Sequence, residues 1–399
     1  MKKIVTGILS TMFASMLSSQ ALSTTDGKVK IGIIGDMGGV YADFCGPGCV
    51  LATQMAVEDF GGKVLGKPIE IVSADSQLKP DVASAITRRW IEREQVDAIG
   101  GLVSSAVTGA VTKVATDNKK ISLISTSASN AFTTKACSPY IAHWTYNVVA
   151  LANGTVKPMV LAGKKKWFFI TADYAFGHAL EKVASTVIND NGGTVVGGVK
   201  APLSTTDFSS YILQAQASGA DVVALANAGN DMVNAMKAAV EFGLTESMDV
   251  AGLLVFTPNA LAMDPAASAG MRLTTGFYWN FDDATRKWSQ RFEKRHGAIP
   301  SMAHAGAYSV AMHYLKSVEA AGTDESDAVM KTMKAIKPDD FFARNAVLRA
   351  DGRMVHDMYL VEIKEQKERK NANDIYKVIK TIPGNEAYNP MLAKCDFSS

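Results

Sequence analysis

The sequence predicts a two-lobed α/β fold, each lobe a parallel sheet flanked by helices. Three observations lead there. Short apolar runs alternate with helical periodicity from Val29 to Ile124, the alternation restarts at Lys166, and helices return after Phe281. Repeated strand–helix units call for parallel strands covered by helices on both faces. Helices that return after a second sheet imply several crossings between the lobes, which makes a hinge.

The chain opens with Lys2-Lys3, an apolar run from Ile4 to about Leu17, and Ser18-Ser19-Gln20-Ala21-Leu22-Ser23. A charged start, a short apolar segment and small residues at a cleavage point read as a secretory signal peptide, residues 1–23, cut after Ala21 or Ser23. The run is too short to span a membrane, and no later stretch approaches the roughly 20 apolar residues required. No Cys stands at the cleavage point to carry a lipid. A soluble protein exported to the periplasm is expected.

Val29–Ile34 reads as a buried first strand, followed by the turn Gly35-Asp36-Met37-Gly38-Gly39. A helix over Gly48–Phe60 carries Ala52, Met55, Ala56 and Phe60 at helical spacing and stops at Gly61-Gly62. A dinucleotide reading of this unit fails, because Ile34 breaks the Gly-x-Gly-x-x-Gly spacing and the loop from Gly38 to Gly48 is too long. Strands at Ile69–Ala74, Val96–Gly100 and Ile121–Ile124 follow, with helices at Asp81–Glu94 and Val107–Asn118 between them.

After a pause around His143–Asn147, strands are expected at Lys166–Ile170, Thr194–Val199, Asp221–Ala226 and Val250–Phe256. Helices at His178–Asn191, Phe208–Ser218 and Asp231–Phe242 separate them. Thr274–Phe281 reads as a strand carrying Tyr278 and Trp279, before helices at Thr285–Arg295, Ala303–Ala320 and Glu325–Ile336. Val347–Leu348 and Met358–Ile363 close the set as strands. The expected division is 29–146 with 279–345 in lobe 1, 147–278 with 346–385 in lobe 2, and a tail at 386–399.

Of 399 residues 47% are hydrophobic and 20% charged, enough for two cores, and the net charge of +2 is spread along the chain. No nucleic-acid surface is indicated; Lys164-Lys165-Lys166 reads as a solvated turn. Four cysteines in an exported protein permit disulfides in three connectivities. Cys137 with Cys395 would tie the tail to the body. Cys45 and Cys49 stand close in Cys-Gly-Pro-Gly-Cys, joined or free; metal binding there lacks a second pair of ligands. No cofactor and no metal are expected.

The candidate site begins at Ile121–Asn130, a short strand that turns into small hydroxyl residues. Gly101-Leu102-Val103-Ser104-Ser105 ends the preceding strand in the same way. Ligands of open parallel sheets bind outside the carboxyl ends of the strands. Small hydroxyl residues there add O–H donors and leave backbone N–H groups accessible, which suits a carboxylate. Ser and Thr are also ordinary turn formers and caps, so the residue types alone leave both readings open.

From about Val29 to Pro383 the chain resembles the periplasmic substrate-binding proteins of ABC importers, in the branched-chain amino-acid family. The resemblance rests on Val29–Asp36, Gly46-Pro47-Gly48, Val64–Pro68, Ile99–Ser105, Ile121–Asn130, Ala172–Gly177, Asp207-Phe208-Ser209 and Asp351-Gly352. It implies the type I periplasmic binding protein fold: two lobes, three hinge crossings, and a small ligand in the cleft, delivered by a monomer to a membrane permease. Ser104, Ser105 and the stretch Ser127, Ala128 and Ser129 are then expected at the carboxylate. Phe176, Asn227, Gly229 and Thr257 are expected on the second lobe, with Val40 and Tyr41 covering the ligand's side chain.

One departure bears on specificity. Amino-acid binders of this family carry a Glu near the position of Thr257 for the ligand's ammonium, and Leu253–Asn259 contains no carboxylate. A buried unpaired ammonium is costly. An aromatic or apolar carboxylate is therefore the favoured ligand, with Phe44, Phe132, Trp144, Phe176 and Trp279 as candidate cleft aromatics. A branched-chain or related amino acid is the alternative, using Asp173 or Asp231 as the acid.

An enzyme reading finds little. The six histidines form no His-Glu-x-x-His motif, and no Gly-x-Ser-x-Gly elbow occurs. An exported hydrolase using Ser104 or Ser127 would need an oriented base, and His143 and His178 are lone candidates.

Overall fold

A computed structural model describes residues 24–398; the expected signal peptide lies outside the described residues. The first sheet runs Lys63–Val64, Lys67–Asp75, Val29–Gly35, Ala98–Gly101, Ile121–Ile124, Ile141–His143, parallel except for its opening hairpin. The helices Pro47–Phe60 and Met302–Ala321 pack together on one face, and Pro80–Arg93 with Ser105–Asp117 on the other. The second sheet runs Tyr376–Ile382, Met358–Ile363, Arg272–Thr275, Asp249–Gly252, Val222–Ala226, Lys166–Ala172, Thr194–Ala201. Only Met358–Ile363 runs antiparallel to its two neighbours; the other strands all point the same way.

Two differences from the periodicity have a physical cause. The strand expected at Thr274–Phe281 ends at Thr275. Beyond it the chain leaves lobe 2, and the Trp279 indole donates to the Asn373 carbonyl at 2.8 Å instead of joining a sheet. The strand expected at Val250–Phe256 ends at Gly252, and Leu253–Phe256 turn towards the other lobe while staying buried. Tyr376–Ile382 is an edge strand that the apolar pattern concealed, since its middle residues face solvent and include Lys377 and Lys380.

The chain passes between the two sheets after His143, after Thr275 and before Met358, and a hub locks two of these crossings together. The Arg353 guanidinium is fully buried and is satisfied by carbonyl oxygens of Trp144, Tyr146 and Met354. His143 N–H donates to Gly352 O at 2.7 Å. The tail returns over this hub: the Tyr388 ring lies under Arg353, and a Cys137–Cys395 disulfide fastens the chain end to the first lobe. Cys45 and Cys49 are also joined, which removes them as metal ligands. Among the described residues no helix is long and apolar enough to cross a membrane.

Candidate ligand-binding cleft

Where the lobes meet, the carboxyl ends of the first-sheet strands form one wall of a small cavity of about 20 Å³. The roughly 300–1,000 Å³ of a ligand site is reached here only when the lobes part. The wall is built on unusual backbone. Gly101, Leu102 and Ser104 have φ of 77°, 63° and 72°, a region that side-chain-bearing residues rarely adopt. Neighbours hold the bend: Thr126 Oγ1 donates to Gly101 O at 2.6 Å, and Thr108 Oγ1 reaches Leu102 O at 2.8 Å and Ser104 O at 2.7 Å. Strain that is braced in this way concentrates at functional sites.

The bend delivers the N-terminus of the helix Ser105–Asp117 to the cavity, with Ser104 as its cap residue. The Ser104 side chain makes no cap bond. Ser127 Oγ donates to Ser105 Oγ at 3.1 Å, leaving the Ser105 proton unspent. A helix N-terminus with free N–H groups and adjacent hydroxyls is a ready anion site. His143 lies behind this wall and bonds the Ser127 carbonyl at 2.7 Å, away from the hydroxyl. Burial holds its pKa well below the ordinary histidine value, so it is neutral. No serine–base pair of the kind a hydrolase needs is made here.

The opposite wall is aromatic. The loop after the first strand is shaped by Asp36, whose carboxylate accepts from Gly39 N–H and Tyr41 N–H, both at 2.9 Å. It carries Tyr41 and Phe44 across to lobe 2. Phe44 stacks on Phe256 with ring centroids 4.0 Å apart, and the Tyr41 and Tyr174 hydroxyls meet at 2.6 Å. Tyr146, Phe176, Ala228 and Leu254 complete the lining, which contains no Asp or Glu. A buried lobe 2 acid behind the lining, Asp231, acts on the Tyr41 and Tyr174 phenols and accepts from Ser204 N–H at 3.1 Å; burial raises its pKa to about 6.

Of the residues expected at the site, Tyr41, Ser104, Ser105, Ser127, Ala128 and Phe176 line the cavity. Ser129 does not; its Oγ caps a short 3-10 turn by accepting from Ala131 N–H at 3.2 Å. Asn227 is buried beside the cavity and donates to Asp231 O. Gly229, at φ 63°, lets Val40 and Tyr41 approach from the other lobe; a Cβ there would lie 2.4 Å from Val40 O. Thr257 opens the helix Thr257–Ala262 outside the lining. Among the candidate aromatics, Phe44 and Phe176 face the cavity, whereas Phe132, Trp144 and Trp279 do not. Trp144 instead donates to Ser309 Oγ at 2.9 Å. Tyr146 and Tyr174 are cavity residues that chemistry along the chain did not single out, and only the strand-end rule covers Leu254.

This architecture coincides with a known one. Residues 28–370 match the periplasmic binding protein family. The chain belongs to that family. A periplasmic binding protein structure from Burkholderia mallei is 46% identical, covers 94% of this chain and 99% of its own, and superposes with a TM-score of 0.90. A branched-chain amino-acid ABC transporter periplasmic ligand-binding protein from Burkholderia xenovorans is 38% identical, with coverage of 91% and 97% and a TM-score of 0.82. The Leu/Ile/Val-binding protein homolog 6 of Brucella melitensis is 27% identical over 91% of this chain and 93% of its own. A solute-binding protein from R. palustris in complex with 4-hydroxybenzoate shares the fold at 24% identity, with coverage of 89% and 97% and a TM-score of 0.79. This family member is accordingly a type I periplasmic binding protein and a solute-binding component of an ABC transporter, not an enzyme; the family implies the periplasm.

Proposed function

We propose that this protein captures a small aromatic carboxylate in the interlobe cleft and delivers it to an ABC permease. The lining of the cavity carries the reading. Five aromatic rings, a helix N-terminus and three serines surround a small space with no acidic side chain in it. Such a wall satisfies a carboxylate and a ring, but would leave an ammonium group without a partner. The hydroxybenzoate complex of the R. palustris protein supports the reading in one respect: this fold accommodates such acids.

An amino-acid ligand is the second reading, favoured by the names of the Burkholderia and Brucella relatives and by Asp231 just behind the lining. Titration calorimetry with benzoate, 4-hydroxybenzoate and phenylacetate, against leucine, isoleucine and valine, separates the two. Micromolar binding of an aromatic acid with no heat from the amino acids is expected. Saturable leucine binding with no response to aromatic acids would overturn the proposal.

A further inference from the structure

We propose that the Tyr41–Tyr174 hydroxyl pair has two tasks: it latches the lobes together and donates its spare proton to the bound solute. This rests on the cleft being the solute site, and not on the solute being aromatic. The two phenols come from opposite lobes and meet at 2.6 Å, with both rings on the cavity. Burial and the nearby Asp231 charge raise both phenol pKa values, so both protons are present at neutral pH.

Two hydroxyls carry two protons, and a single bond between them uses one. No carbonyl or carboxylate among the described residues accepts the other. The third phenol of the cavity cannot substitute as a donor, because Tyr146 spends its proton on Thr126 O at 2.5 Å. The pair is part-buried, and a donor left without an acceptor where water is scarce is unfavourable. An acceptor atom on the solute removes that cost only when the lobes are closed, which couples closure to recognition.

The pair is held for this purpose from both sides. Asp36 fixes the backbone at Tyr41, and Asn230 N–H reaches across the lobes to Val40 O at 3.3 Å. Tyr174 directly precedes the helix Ala175–Asp190 and rests beside Phe176.

The test uses Tyr41→Phe, Tyr174→Phe and the double variant of the full mature chain, each keeping its ring. Affinity is measured by calorimetry and dissociation rate by stopped-flow Trp fluorescence, with benzoate, 4-hydroxybenzoate and leucine as probes. Either single variant breaks the latch but leaves one hydroxyl to serve the solute. Each should bind about 3- to 10-fold more weakly through faster dissociation, the size of one net hydrogen bond. The double variant should lose a clear further factor. Equal losses in single and double variants would overturn the donor role, and affinities within twofold of the parent would overturn both roles. So would a lowered melting temperature with unchanged affinity, the signature of a purely structural contact. Should leucine alone bind, the aromatic reading falls, yet the same variants titrated with leucine still decide the latch.

Discussion

The two walls of the cleft use different chemistry. The strand-end wall of lobe 1 is main chain and small hydroxyls, held in a strained bend by Thr108 and Thr126, while the first loop of that lobe sends Tyr41 and Phe44 to the opposite side. The lobe 2 side offers rings and apolar groups: Tyr174, Phe176, Ala228 and Leu254. Backbone donors and a helix dipole recognise an anion whatever body it carries. Aromatic faces add little charge but select the shape and polarity of that body. Under the proposed function, one wall sets the charge class of the solute, and the other its identity.

Four experiments bear on that division. The largest effect is expected from Ser105→Asp, which places a carboxylate at the helix N-terminus where the solute's own carboxylate would sit. Like charges about 4 Å apart at an effective dielectric of about 20 repel by about 4 kcal/mol. Calorimetry should show at least a hundredfold loss of affinity with a native circular dichroism spectrum; unchanged affinity would remove the anion site from lobe 1.

Gly229→Ala acts on closure from the other side. Its Cβ would meet Val40 O at 2.4 Å and Tyr41 Cδ1 at 2.7 Å, and the residue would be held at φ 63°. Opening the lobes is the cheapest relief, so affinity should fall at least tenfold and small-angle scattering should report a more open particle with solute present. Stability should drop by about 1–3 kcal/mol.

Asp231→Asn probes the buried acid behind the aromatic wall. The folded-state pKa is raised to about 6 by burial, so the fold favours the protonated acid. Its stability contribution is complete below the unfolded value near 4 and is lost as pH rises through 6. The variant should therefore be more stable than the parent at pH 8, by about 2 kcal/mol, and equal to it near pH 3.5. Urea unfolding at the two pH values checks the sign. A marked loss of leucine affinity in this variant would instead make Asp231 an ammonium partner.

The smallest pair of effects separates two neighbouring serines. Ser127→Ala removes a cavity hydroxyl and should weaken carboxylate binding about threefold to tenfold. Ser129→Ala removes a cap and should cost about 0.5–1 kcal/mol of stability with affinity unchanged. Binding loss at Ser129 alone would reverse their assignments.

Much of this was legible along the chain. Ile121–Ile124 ends in hydroxyl residues, and the strand-end rule already placed that turn at a crevice. Neighbours in sequence, Thr126, Ser127 and Ala128, line the cavity together there. Ser129 shows where the reasoning stops, since a serine two residues on belongs to a cap. Tyr146 was concealed in the first crossing segment, and Tyr174 in a loop whose neighbour Phe176 drew attention. Nothing local distinguishes their rings from Trp144, which turns inwards to Ser309.

The sequence by itself determined the two-lobed α/β plan, the strand ends that carry the lobe 1 wall, and the multiple crossings, because apolar periodicity and turn residues act over a few positions. Only the tertiary structure decided which aromatic rings face the cavity. It also set Tyr41 against Tyr174 across 133 positions, whereas the Cys137–Cys395 pairing across 258 was already favoured along the chain. The tyrosine contact depends on where the two lobes meet, and no local preference of the chain encodes that meeting.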